Sequence, residues 1–331
     1  RQRHLTIPCE MCIRDSDLKE WHPTRRKRDD HAPFTVGFAA SLKSSAEAEV
    51  KGRAIAEGAV ERVGARMLLT SKGGGAQIPH DRMIKDFYSK IDVLIHPVAP
   101  GREGTSNVVM EALALGVPVL TTQHCGFHGE FLVDGQSALV RERDESSFAE
   151  ALTLVQRDER LRRRLVAEGR AFAERHHNLK TASRAYSRVI SDVFAPASAA
   201  PVEPKRVCFA PFWEPAENFG SSRLRAKYPA EFLAQNDRFE IAMGYDSVAD
   251  IAIVIQMCTH DVMSKLHANQ DQFVVYDVCD RYYENPRLFA HVSPPIDSLS
   301  RFHELCERAD LILVPSRELK AQIAARFPEK A

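Results

Sequence analysis

Asp92-Val-Leu-Ile-His96, a loop from Pro97, and then Glu103-Gly-Thr-Ser-Asn-Val-Val-Met-Glu111-Ala-Leu-Ala-Leu-Gly-Val-Pro-Val119 form the stretch whose reading decides the fold. The first five residues are a short apolar run closed by proline, the pattern of a buried parallel strand. A helix is expected from about Asn107 to Leu115. Gly116 stands where a chain leaving a helix turns left-handed, and Pro118 lies just beyond it. Val117 to Thr121 then reads as another strand. Strand, loop, helix and strand make a parallel α/β unit. Such units take ligands where the carboxyl end of a strand feeds a helix amino terminus. The first N–H groups of that helix lack internal partners, and its dipole favours an anion. Gly104 allows close backbone approach, and Thr105, Ser106 or Asn107 can cap the helix. Glu111 stands one turn inside, roughly 6 Å along the axis. A carboxylate there can accept two hydroxyl hydrogen bonds, as a ribose diol would offer.

The same grammar extends outward. Strands are expected at 34–39 and 66–70, with helices at about 48–63, 81–89, 145–156, 158–176 and 180–194. Ala195-Pro-Ala-Ser-Ala-Ala-Pro-Val-Glu-Pro204 reads as a semi-rigid linker, spanning 196–204. Alternation then resumes, with strands at 206–210, 251–255, 273–277 and 311–314, and helices at 221–234, 261–268, 298–308 and from Ser316. The fold class is therefore α/β, as two Rossmann-like domains with parallel sheets over 31–195 and 205–331. The chain stops after a helix where a strand is expected, so the second domain is expected to be cut short. Residues 1–30 show no periodicity and are expected as a tail. Met11-Cys-Ile-Arg-Asp-Ser16 resembles translated adapter sequence, an artefactual segment, so Cys9-x-x-Cys12 is not read as a metal or redox site.

Composition excludes several classes. Of 331 residues, 45 are Lys or Arg and 45 are Asp or Glu, so the formal net charge is zero. That balance gives no support to a nucleic-acid partner. No apolar run reaches the length of a membrane span. Seven widely spaced cysteines do not look like a disulfide framework, which fits a reducing, cytoplasmic setting. Gly73-Gly-Gly75 lacks the Lys-Ser/Thr of a phosphate loop. The basic run Arg25-Arg-Lys-Arg28 falls within the expected tail, and a second, Arg160-Leu-Arg-Arg-Arg164, could suggest anion binding. Leu161, Leu165 and Phe172 form an apolar stripe, so the second run reads as a solvated helix face.

The stretch from Glu103 to Val119 closely resembles the EX7E motif of retaining GT-B glycosyltransferases of family 4. The resemblance runs from about Phe34 to Phe194. It takes in the lead-in from Ile78 to His96 and the donor-side loop Gly126-Phe-His-Gly-Glu130 with Val133-Asp-Gly135. It implies that Glu103 faces the transferred sugar near the reacting carbon. It implies that Glu111 binds the ribose, and that backbone around Gly104, Thr105 and Ser106 holds the diphosphate, with Gly126 and His128 on the donor side. The family also places a basic pair near the diphosphate, because the departing group gains negative charge. Lys43 and Lys51 are the candidates, and Lys51-Gly52 fits the family's Lys-Gly pattern better. Neither a metal nor another cofactor is implied. The partners implied are a nucleotide-diphosphate sugar and a saccharide or glycan acceptor, and peripheral membrane association stays open.

Tyr276-Asp-Val-Cys-Asp280 and Cys306-Glu-Arg-Ala-Asp-Leu-Ile-Leu-Val-Pro-Ser316 make the second domain resemble the acceptor-side half of a GT-B enzyme, in reversed order. A fragment of a tandem glycosyltransferase that binds nucleotide without turnover is therefore an alternative. A sugar-nucleotide epimerase is another. No G-x-G-x-x-G follows a first strand, which argues against NAD.

Overall fold

A computed structural model describes residues 5–6, 18–29, 31–42, 45–72, 77–100, 106–125, 132–176, 204–212, 223–278, 283, 293–314 and 317–328. They form two compact units. One is Ser16–Asn178, and the other joins Arg1–Asp15 to Leu179–Ala331. The helix expected at 180–194 and nearly all of the Pro/Ala stretch lie outside the described residues.

Strand β1 (Leu5–Thr6) belongs to the second unit. The first unit runs β2 (Thr35–Ser41), α1 (Ser45–Lys51), α2 (Arg53–Arg62), β3 (Arg66–Lys72), α3 (Met83–Asp86), β4 (Val93–His96), α4 (Asn107–Ala114), β5 (Val119–Thr122), β6 (Leu139–Arg141), α5 (Glu145–Arg157) and α6 (Glu159–His176). Its five strands pair in parallel, in the order β3-β2-β4-β5-β6. Val36, Phe38, Val93, Ile95 and Leu120 from the strands pack with Ala56 and Val60 of α2 and with Phe148 and Leu152 of α5. β4 and β5 are buried along their whole length, as a strand covered on both faces must be.

Two expected helices of the first unit are reshaped, and in the second unit the helix expected at 221–234 is a π turn at Arg223–Lys227 followed by a short α-helix. The helix at 48–63 breaks at Gly52, whose φ is 71°. The helix at 81–89 is a short α3 between two 3-10 turns, His80–Arg82 and Tyr88–Lys90. The expected tail is also corrected for residues 18–29, which pack on the first unit. Trp21 is only 2% exposed. Its carbonyl accepts from Arg170 Nη1 at 2.7 Å, Arg26 Nε donates to the Tyr88 carbonyl at 3.0 Å, and Arg28 Nη2 meets Asp92 Oδ2 at 2.7 Å. Nothing in the local pattern of 18–29 signals this, because the partners lie more than 60 residues away.

The second unit continues with β7 (Lys205–Pro211), α7 (Tyr228–Leu233), β8 (Phe239–Met243), β9 (Ile251–Ile255), α8 (His260–Ala268), β10 (Phe273–Asp277), α9 (Ser298–Arg308), β11 (Leu311–Val314) and α10 (Arg317–Arg326). Its parallel sheet has the order β1-β11-β10-β9-β7-β8. β1, β6 and β8 had no sequence expectation, and β1, inside the expected tail, pairs in parallel with β11. β6 has three residues and β8 is an edge strand buried only at its start, so neither presents a full apolar run. Phe302 stacks on Tyr283 at 4.0 Å and anchors the core beside Tyr276 and Phe327.

Asp144 caps α5, accepting from the Ser147 amide at 2.9 Å and from its hydroxyl at 2.6 Å. These bonds hold its carboxyl below the ordinary range. A depressed carboxyl stabilises the fold above its unfolded pKa, and that contribution is lost as pH falls through the folded value. Asp144→Ala is expected to cost about 1 kcal/mol near neutral pH. The deficit should shrink in thermal melts taken at progressively lower pH.

Candidate functional site

In the first unit the chain goes from β2 to its neighbour β3 on one side, and then to β4 on the other. The direction of winding therefore switches between β2 and β4. In an open parallel sheet the ligand crevice lies outside the carboxyl ends of the strands at that point. Ser41 of β2 and His96 of β4 end at this crevice, with α1 following the first strand and α4 the second.

The loop after β4 is held from several sides. Thr121 Oγ1 donates to the His96 carbonyl at 3.0 Å, and Thr122 Oγ1 donates to that of Val98 at 2.8 Å. The Ala99 amide donates to the Val50 carbonyl at 2.9 Å. Arg143 donates through Nε to the Pro97 carbonyl at 3.1 Å, and its Nη2 donates to the Glu49 carbonyl. The end of α1 is thereby docked on the loop. Gly52 makes this possible, because a Cβ there would stand 2.3 Å from the Pro97 carbonyl oxygen. Lys51, the last residue of α1, is brought to the crevice edge by these backbone contacts and is half-buried.

Ser106 occupies the N-cap position of α4, and its carbonyl accepts from Met110 N at 3.2 Å. Its hydroxyl does not cap the helix. Ser106 is 1% exposed, and its Oγ has no hydrogen-bond partner among the described residues. The amino terminus of α4 thus presents backbone donors that the Ser106 side chain does not satisfy, beside its buried hydroxyl.

Glu111 is 4% exposed, not on a solvated face. Its Oε2 accepts from Tyr88 Oη at 2.7 Å, and its Oε1 lies 3.4 Å from His80 Nε2. Trp21 packs against both partners, at ring distances of 5.4 Å to His80 and 5.7 Å to Tyr88. A buried carboxylate is costly unless its oxygens receive donors. Tyr88 meets that need at one oxygen. The other lies 3.4 Å from His80 Nε2, and the His80 side chain is 49% exposed.

Sequence reading missed Tyr88, His80, Trp21 and Arg143 as supporting residues. The signal available for Tyr88 was a tyrosine five residues before a buried strand, whose hydroxyl needs a partner if buried. Of the expected site residues, Glu111, Ser106 and Lys51 are described. Glu103, Gly104, Thr105, Lys43, Gly126 and His128 lie outside the described residues, as do Cys9 and Cys12. Among the described residues no three His, Cys, Asp or Glu side chains group to hold a metal, and no helix is long and apolar enough to cross a membrane.

Residues 38–158 match the family model of glycosyl transferases group 1. No curated protein matches the chain. Among solved structures, the Anabaena protein Alr3699/HepE in complex with UDP-glucose is 15% identical, with a TM-score of 0.41 over 51% of this chain and 55% of that one. The C-terminal domain of a glycosyl transferase group 1 family protein (LpcC) from Francisella tularensis is 12% identical, with a TM-score of 0.37 over 52% of this chain and 98% of that one. Sucrose-phosphate synthase from Thermosynechococcus elongatus is 18% identical, with a TM-score of 0.39 over 57% of this chain and 51% of that one. The chain spans about half the length of the Anabaena and Thermosynechococcus proteins.

Proposed function

We propose, from the match of residues 38–158 to the family model of glycosyl transferases group 1, that the first unit binds a nucleotide-diphosphate sugar in the crevice between β2 and β4 and donates the sugar to an acceptor hydroxyl. The observation that carries this reading is Glu111, a buried carboxylate one turn inside the helix that opens at the crevice. Its Oε1 side would accept from the ribose hydroxyls, with Tyr88 holding Oε2. The amino terminus of α4 and the Ser106 hydroxyl would donate to the diphosphate. Lys51 would oppose the charge that grows as the bond from sugar to diphosphate breaks. Glu103 would lie near the reacting carbon. As that bond breaks, the acceptor oxygen bonds to the same carbon and its proton passes to the departing diphosphate. Attack on the face being vacated keeps the anomeric configuration, the outcome the family resemblance implies. The acceptor is a saccharide or glycan.

Thermal unfolding with UDP, GDP and ADP tests the site. A nucleotide at about 100 times its dissociation constant adds about 2.7 kcal/mol of stability. One of the three is expected to produce that shift in the wild type and none in Glu111→Ala. Stabilisation that survives in Glu111→Ala, or no stabilisation by any nucleotide, overturns the assignment. Transfer of labelled sugar from the matching donor onto a glycan mixture then tests turnover.

Tyr88→Phe removes only the hydroxyl on Glu111. It is expected to weaken the same nucleotide about tenfold, the scale of one hydrogen bond to a charged group. Titration calorimetry on the folded variant checks this, and unchanged affinity would mean that Tyr88 does not hold the carboxylate for its ligand.

A further inference from the structure

The two basic runs of the sequence meet in space. A cavity of about 590 Å³ is lined by Arg26 and Arg28 from the first run and by Arg162 and Arg163 from the second. Phe34, Asp92 and Pro118 also line it. Each precedes a strand, β2, β4 and β5 in turn, so the cavity lies at the amino edge of the sheet. The crevice of the proposed donor site lies at the carboxyl edge. The four-residue strands alone set the two edges about 13 Å apart.

Four guanidinium groups here face two carboxylates. Asp92 is taken by Arg28 at 2.7 Å, and Glu159 by Arg163 at 2.6 Å. Among the described residues Arg26 and Arg162 pair with no carboxylate and are held by carbonyls instead. Arg26 donates to the Tyr88 and Ile91 carbonyls, and Arg162 Nη1 donates to those of Val155 at 2.6 Å and Gln156 at 2.8 Å. Carbonyl oxygens fix a guanidinium without neutralising it. Donors remain: Arg26 Nη1, Arg162 Nε and Nη2, and Arg163 Nε and Nη1 have no hydrogen-bond acceptor among the described residues. Burial, opposed by the charge of Asp92 and helped to a lesser degree by that of Arg28, leaves the Arg26 guanidinium below its ordinary pKa. An anion in the cavity would relieve both costs. Fixed, forked donors with surplus positive charge suit a tetrahedral oxyanion.

We propose that this cavity is a binding site for a phosphate-bearing anion, separate from the donor crevice. The phosphate belongs either to a soluble phosphate compound or to an anionic lipid headgroup. Titration calorimetry of the full chain with inorganic pyrophosphate tests it, with Arg162→Gln/Arg163→Gln and Lys51→Ala beside the wild type. The double variant is expected to lose, by about tenfold in affinity, a binding component that Lys51→Ala keeps, because pyrophosphate held in the donor crevice does not involve Arg162 and Arg163. Should the double variant fail to fold, Arg163→Gln alone removes an exposed charge and is expected to weaken binding about threefold. Co-sedimentation with phosphatidylglycerol vesicles, against phosphatidylcholine vesicles, separates the sources. Sedimentation lost in the double variant assigns a lipid headgroup, and pyrophosphate binding without sedimentation assigns a soluble ligand. The proposal is overturned if neither probe binds, if the variants of the arginine pair bind like the wild type, or if only Lys51→Ala loses the anion. The last outcome would place the phosphate in the donor crevice.

Discussion

Trp21→Ala is expected to destabilise the first unit by about 3–5 kcal/mol, the range for removing a buried aromatic side chain. The residue sits in a segment with no secondary-structure pattern, yet it is 2% exposed and packs edge-on against Tyr88. For a unit of this size, a loss of that order lowers the unfolding midpoint by about 10 °C. The backbone bonds from Arg170 and Arg26 do not depend on the indole, so the strap itself should stay in place. The cavity left behind opens onto His80 and Tyr88, the two groups beside Glu111. Nucleotide stabilisation should therefore fall along with the midpoint. Differential scanning calorimetry of the full chain, with and without the nucleotide, reads both effects. A midpoint shift under about 2 °C would mean that the strap does not belong to the fold.

Gly52→Ala should be nearly as damaging, and for two separable reasons. The residue has φ 71°, which costs an L-residue about 1–2 kcal/mol. The added Cβ would also stand 2.3 Å from the Pro97 carbonyl oxygen and 2.8 Å from the proline ring. Backbone has to move there, so the total is expected at about 2–4 kcal/mol. Gly64 provides the control, with φ 62° and nothing within 4 Å of a built Cβ. Gly64→Ala should show the strain alone, about 1 kcal/mol. The two variants also differ at the site. Moving Gly52 away from Pro97 undocks Lys51 from the loop after β4, whereas Gly64 lies far along the chain from any site residue. Urea titration gives the stability difference, and calorimetry with the nucleotide gives the affinity. Equal losses in both variants would mean that the close approach of α1 to the loop carries no energy.

These two positions also mark how much local pattern reveals. Ile251–Ile255, Phe273–Asp277, Ser298–Arg308 and Leu311–Val314 fall where the sequence reading put them. Each is an unbroken apolar or amphipathic run, so chain-local periodicity is enough. The helix at 81–89 failed because helical spacing does not report 3-10 turns. Glu111 was legible as a residue of interest from its place in a helix that follows a strand and a loop. Its burial was not, because burial depends on Trp21, Tyr88 and His80.

The sequence by itself determined the α/β class, the parallel strands and the helix that carries Glu111, since all of these rest on periodicity and on the signals that end helices. Only the tertiary structure decided the strand order that puts the crevice between β2 and β4, the packing of residues 18–29 on the first unit, and the meeting of Arg26 and Arg28 with Arg162 and Arg163. Each of these joins groups dozens to more than a hundred residues apart. Their energy comes from desolvation and hydrogen bonds that exist only once the chain has closed on itself, and no local pattern records them.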